Sequence, residues 1–157
     1  ITAQFLDKPV TISVRTSETS DHVEQDVVEF SSQEHKYELL EEMLRKEQYD
    51  KVLVFCGKKF GAQRLADRLN KTEISAAAIH GNKSQSQRTR ALDAFKSGKV
   101  SVLVATDVAA RGLDIPNVSH VINFDTPQVY EDYIHRIGRT GRGGARGHAH
   151  TFVPKSF

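Results

Sequence analysis

An α/β fold of three layers, with a parallel sheet between two layers of helices, is what this sequence predicts, and three observations predict it. From residue 51 onward the chain repeats one phrase: a short β-branched run, a turn and an amphipathic segment. That alternation is the pattern of parallel strands joined by helical crossovers. The runs are almost wholly apolar instead of alternating, as strands covered on both faces must be. The segments between them place apolar residues three and four apart, the period of one buried helix face.

Each element follows in order. VEQDVVEF (23–30) alternates as a strand should, and SSQEHKYELLEEMLRK (31–46) carries Leu39, Leu40, Met43 and Leu44 on one helical face. KVLVF (51–55) is a strand and FGAQRLADRLNK (60–71) a helix. SAAAIH (75–80) is the next strand, and SQSQRTRALDAFKSG (84–98) the next helix. Ser84 and Gln87 have the spacing of a capping box and Gly98 supplies a stop. VSVLVAT (100–106) and SHVINF (119–124) add two strands. Thr126 and Pro127 predict a helix start with proline at the first helical position, and Glu131 and Asp132 suit its early turns. At 100° per residue, Tyr130, Tyr133, Ile134 and Ile137 share an apolar arc, with His135, Arg139 and Arg142 opposite. Gly138, Gly141, Gly143 and Gly144 make a regular helix unfavourable beyond Gly138, so the later arginines are expected on an irregular turn. HAHTFV (148–153) closes the series as a strand. Residues 1–22 fit less well: FLDKPVTISV reads as a helix tail and one strand, and TSETSD as a polar link.

A chain of 157 residues with 38% hydrophobic content suits one domain with one core. No segment approaches the ~18 consecutive apolar residues of a membrane span, and the first residues lack a signal-peptide pattern. The chain begins at Ile1 without a Met and is expected to be an excised piece. Cys56, the lone cysteine, sits in KVLVFC as a small buried hydrophobe. One cysteine excludes a disulfide framework, and a reducing cytoplasm is the expected setting. The net charge of +2 conceals an asymmetry: residues 1–50 hold 5 Lys and Arg against 12 Asp and Glu, and residues 51–157 hold 17 against 8. That basic part suits an anionic ligand, nucleic acid or nucleotide, although a solvated surface of mixed sign gives the same balance.

Ligands of an open parallel sheet bind beyond the carboxyl ends of the strands. Cys56–Lys59, His80–Lys83, Thr106–Asp114 and Asp125–Pro127 should therefore share one rim. The arginines of HRIGRTGRGG (135–144) present planar guanidinium groups suited to phosphate oxygens. A solvated helix end is the plain alternative, but glycine implies close backbone approach. No G-x-x-x-x-G-K-[ST] occurs, so the chain has no phosphate cradle of its own. Arginines without a cradle point to a finger supplied across an interface. His148 and His150 lack a third ligand nearby and read as surface residues, so no metal is assigned. Asp107 and Asp125 read as turn caps, and RGGARG as a turn.

LVATDVAARGLDIPNV (103–118) and YIHRIGRTGRGG (133–144) resemble motifs V and VI of the DEAD-box RNA helicases. LVFCGKK is similar to motif IV, IHGNKSQSQRTRAL to motif IVa, and HVINFDTP to the segment between V and VI. Together they cover the chain from about residue 23, and IHGNKSQ followed by RTRAL is most similar to the bacterial RhlE-like subgroup. The resemblance implies the second of two RecA-like lobes (residues 23–157), with residues 1–22 as the end of the first lobe plus the interlobe linker. Cut from its sheet, residues 1 to about 20 are expected to be disordered or non-natively docked. ATP and RNA would lie between the lobes, with Mg²⁺ held mainly by the P-loop lobe. Arg139 and Arg142 match the arginine fingers, and His135 a residue that couples the site to lobe closure. Gly112 and Asp114 match motif V positions at the nucleotide, Asp114 at its ribose, and Arg136 matches a structural or interdomain arginine. For RNA, the matching positions are Gly81, Gln85, Arg88 and Thr106. Lys58 stands where many relatives carry Thr, leaving open whether it replaces a hydroxyl contact. The activity implied is ATP-dependent RNA unwinding or remodelling in which this lobe alone is no ATPase. A superfamily 2 DNA helicase, in which Gln usually stands at the place of His135, and a non-enzymatic RNA-binding scaffold are the rival readings.

Overall fold

The computed structural model describes residues 22–143 and 146–156. The expected first-lobe end and linker lie outside the described residues except for His22, as do Gly144 and Ala145 of the expected RGGARG turn. Six strands form one sheet in the order β1-β6-β5-β2-β4-β3, and every neighbouring pair is parallel. They are β1 (Val23–Phe30), β2 (Val52–Phe55), β3 (Ala76–Ile79), β4 (Val102–Ala105), β5 (His120–Asn123) and β6 (Gly147–Pro154). The helices are α1 (Gln33–Leu44), α2 (Lys59–Lys71), α3 (Gln85–Ser97), α4 (Asp107–Ala110) and α5 (Tyr130–Ile137).

β2, β4 and β5 are buried at every position, which explains why their sequences do not alternate. One core unites Leu53, Phe55 and Val121 with Leu92 and Phe95 of α3, Ala109 and Ala110 of α4, and Tyr133 and Ile137 of α5. The other unites Val52, Val54 and Ile122 with Leu40 and Leu44 of α1 and Leu65 and Leu69 of α2. Full burial of each large side chain contributes roughly 1.5–3 kcal/mol. Right-handed crossovers dictate this division, because the chain changes direction along the sheet after β3 and so changes face. Connections leave β2 toward one face and β4 and β5 toward the other, so the rim opens on both sides of the β2 end.

Local signals hold where they are self-contained. Ser84 and Gln87 form the expected capping box and Gly98 ends α3 at φ 87°. α5 starts at Tyr130 with Val129 as N-cap, later than the expected Thr126–Pro127 start. The reason is tertiary: Pro127 is buried and the Thr126 hydroxyl donates to the Phe152 carbonyl at 3.3 Å, holding this segment on the sheet. α4 went unanticipated because its four residues are too few to show a period. Thr106 caps it by accepting from the Ala109 amide at 3.4 Å.

His148 and His150 are not the simple surface residues expected. β5 and β6 pair His120 with His148, and the His120 ring stacks between Tyr49 at 3.9 Å and His148 at 4.8 Å. His150 bonds Asp26 and, at 3.1 Å, the Tyr49 hydroxyl. No group of three or more potential ligands able to hold a metal occurs among the described residues, and none of their helices is long and apolar enough to cross a membrane. Burial, reinforced by His148 and His150 and opposed by Asp26, lowers His120 to about 4. An unfolded histidine titrates near ~6.5, so the folded chain binds fewer protons than the unfolded one as pH falls below that value. Stability is therefore full above pH ~6.5 and declines toward pH 4, by about 2 kcal/mol between pH 7.5 and 5 from His120 alone. Urea unfolding at the two pH values should show this loss, and His120→Phe should remove most of it.

Candidate functional site

Arg136 of α5 organises the rim. It is 2% exposed and binds Asp107 through Nε at 2.8 Å and Nη2 at 2.7 Å. Its Nη1 donates to Asn123 Oδ1 at 3.1 Å and to the Asp125 carbonyl at 2.7 Å, while the guanidinium lies 5.0 Å from the centre of the Phe55 ring. One side chain thus ties α5 to the ends of β2, β4 and β5. Asp125 also accepts from the Gly57 amide at 2.8 Å and pairs with buried Lys36 at 3.0 Å. Neither aspartate caps its own turn: Asp125 serves the Gly57 amide and Lys36, and Asp107 serves Arg136.

Arg139 and His135 flank that anchor on a cleft of about 260 Å³ that also includes Asp107, Arg111, Gly112 and Asp132. Asp107 is committed to Arg136 and Asp132 lies 3.6 Å from Arg111. The Arg139 side chain has no hydrogen-bond or ion-pair partner among the described residues. Burial, with a second contribution from Arg142, lowers Arg139 from the ordinary arginine value, and the group stays cationic. Arg142 is exposed and held: its Nε donates to the Gly138 carbonyl and its Nη1 to the Ile115 carbonyl, both at 3.1 Å. The three arginines therefore have three states, one buried in an ion pair, one steered by carbonyls and one uncommitted.

The turn carrying them is stitched to the loop after α4. Val118 donates to the Arg139 carbonyl at 3.1 Å, the Thr140 hydroxyl donates to the Val118 carbonyl at 2.5 Å, and the Arg142 amide donates to Asn117 at 3.0 Å. Gly141 has φ 73°, and a Cβ there would stand 2.9 Å from the His22 carbonyl oxygen. The close backbone approach at Gly141 is thus to the chain's own first strand and serves packing.

Asp114, expected at the nucleotide beside Gly112, lies apart from the cleft. Its side chain is 96% exposed and its nearest charge is Lys96 at 3.9 Å. Gly112 lines the cleft with φ 77°, and the chain turning there carries Asp114 outward.

A second groove of about 260 Å³ brings Gly81, Arg88 and Thr106 together from three different loops and helices, with Gly57 and Lys59. Arg88 Nε is buried without an acceptor among the described residues. Gln85 is exposed in the first turn of α3 but does not line this groove. Nor does Lys58, which lines a neighbouring groove with Phe60 and Arg64. Lys59 takes its place in the Arg88 groove, bonding Asn82 Oδ1 at 3.1 Å, and sequence reasoning missed it because adjacent lysines carry no sign of which way each points. Cys56 is buried, and burial pushes its thiol well up, consistent with a packing role.

Residues 35–144 match the family described as helicase conserved C-terminal domain. The chain is 49% identical over 154 residues to ATP-dependent RNA helicase DBP3 of Candida albicans, covering 94% of this chain and 27% of that protein. It thus spans about a quarter of that relative's length. The E. coli DEAD-box protein SrmB, solved bound to regulator of ribonuclease activity A, is 41% identical at a TM-score of 0.79, with 82% of this chain and 75% of that one covered. S. cerevisiae Dbp5 bound to RNA and ADP BeF3 is 32% identical at 0.78, with 90% and 39% covered. The six-stranded sheet is accordingly the RecA-like fold of these proteins, and the chain belongs to the C-terminal helicase domain family, in its DEAD-box RNA helicase group.

Proposed function

We propose that this chain is the finger-bearing second lobe of an ATP-dependent RNA helicase, working with an N-terminal RecA-like lobe that carries the P-loop. The observation that carries the reading is the uncommitted Arg139 guanidinium, which lines the same cleft as the fully paired Arg136. A cation kept partly desolvated without a counterion suits an anion delivered from outside the chain. The cleft residues fit a triphosphate presented by the other lobe; ATP bound there supplies a phosphoryl group with its Mg²⁺, held mainly by that lobe. Arg139 would meet the developing phosphoryl charge and Arg142 would stand beside it. His135, exposed on the same cleft, would bear on the partner lobe as the two close. Without the P-loop the lobe alone should not hydrolyse ATP. IHGNKSQ and RTRAL support a place in the RhlE-like subgroup, and the buried Cys56 suits a reducing cytoplasm.

RNA would lie along the Gly81–Arg88–Thr106 groove, gripped by its backbone. Arg88 offers a planar cation, and Thr106, which accepts from Ala109, keeps its hydroxyl hydrogen to donate. Dbp5, which shares this fold, was solved with RNA bound, which supports an RNA-binding role here. The test is anisotropy of a labelled 12-nucleotide single-stranded RNA in low salt. Weak binding by the chain should fall about tenfold in Arg88→Ala, a loss of ~1.4 kcal/mol expected for one charge-assisted hydrogen bond. Unchanged affinity would remove the groove from the RNA path.

A further inference from the structure

Beyond Lys58 of motif IV, the motifs assign the neighbouring groove no role. It encloses about 420 Å³ between α1, α2 and the β5–α5 loop. Its floor is the tilted ring pair of Tyr37 and Phe124, with centroids 5.4 Å apart. At its lip stands Phe60, 65% exposed, an unusual place for a phenylalanine in a chain that buries most of its apolar residues. Lys58 and Arg64 line the same groove and are exposed without a hydrogen-bond or ion-pair partner among the described residues. Asp125, the acid in the lining, is already matched by Lys36 at 3.0 Å. The groove is thus aromatic in its walls and positive at its edge. Gly57 lines both this groove and the Arg88 groove, so the two adjoin at the end of β2.

We propose that Phe60 is a base-stacking platform, and that single-stranded RNA leaving the Arg88 groove crosses Gly57 and lays a base on its ring while Lys58 and Arg64 follow the backbone. An exposed aromatic ring among uncompensated cations is the arrangement that holds single strands, because every base has a π face and every linkage an anion. A peptide partner would also cover Phe60, but it would leave two cations needing acidic residues and would give no reason for the edge shared with the Arg88 groove at Gly57. Lys58 gains a role here that does not depend on replacing a hydroxyl contact. The inference rests on the RNA-binding reading of the Arg88 groove and adds base contact to a backbone grip.

The test exploits the absence of tryptophan from the chain. Phe60→Trp places one indole on the lip, and a stacked base should quench its fluorescence. Titration with a 12-nucleotide oligoadenylate should quench the emission, whereas an abasic ribose-phosphate oligomer of equal length should leave it unchanged. Phe60→Ala should weaken the oligoadenylate by about 5-fold or more and leave the abasic oligomer unaffected, as loss of one aromatic–base stack requires. Wild-type affinity in Phe60→Ala together with unquenched Phe60→Trp would overturn the platform while the backbone grip stands, and would turn the groove over to a protein partner. Failure of the wild-type chain to bind either oligomer would remove both readings at once.

Discussion

Replacing Arg139 with alanine in this lobe, joined to a P-loop lobe from a DEAD-box relative, should lower RNA-stimulated ATP turnover by about a thousandfold, the scale of an arginine finger. The effect should fall on kcat rather than on apparent ATP affinity, because a finger meets charge that develops during transfer. The geometry also predicts an order among the arginines. Arg139 is uncommitted, so its removal costs the lobe no internal bond. Arg142 is held by two carbonyls, so its replacement removes part of the turn as well as a charge. Arg139→Lys should recover only part of the rate, since a point charge lacks the planar fork. The intact donor helicase serves as the control, and turnover indifferent to Arg139 would make HRIGRTGRGG a binding surface and bring the scaffold reading forward.

Arg136→Ala should destabilise the fold by about 3–5 kcal/mol, the range for removing one partner of a buried ion pair. Three losses combine. Asp107 loses both donors of its bidentate pair, fully buried Asn123 loses a donor, and the Asp125 carbonyl loses its 2.7 Å bond. Chemical denaturation of the purified chain would measure the total. The double replacement Arg136→Ala with Asp107→Ala should be less damaging than the two single effects added together, because the uncompensated carboxylate is then absent. Equal additivity would mean that the pair contributes nothing beyond its separate contacts. Any surviving Arg136→Ala protein should also lose Arg139-dependent turnover in the joined lobes, because α5 is no longer tied to the strand ends.

Much of the fold was legible in the sequence because its signals are short-range. A buried strand announces itself by a run such as VLVF, and a helix by a period within a dozen residues. Ser84 with Gln87, and Gly98 after α3, mark both ends of one helix through contacts spanning no more than a turn. The same holds for HRIGRTGRGG, where glycine content indicates the irregular turn that follows α5. Tertiary contacts overrode the local signal at Thr126–Pro127, and α4 was too short to display one.

The sequence by itself determined the layer architecture, the helix caps and the candidacy of the rim loops, since each depends on residues close together in the chain. Only the tertiary structure decided which arginine is buried, which is braced and which is left uncommitted, that Asp114 turns outward, and that Lys59 and not Lys58 joins Arg88. Arg136 meets Asp107 across 29 positions and Lys36 meets Asp125 across 89, distances over which no local period or cap extends. A side chain's charge is written in the sequence, but its partner is set by which strand ends the sheet order brings together, and that order exists only once the crossovers have closed.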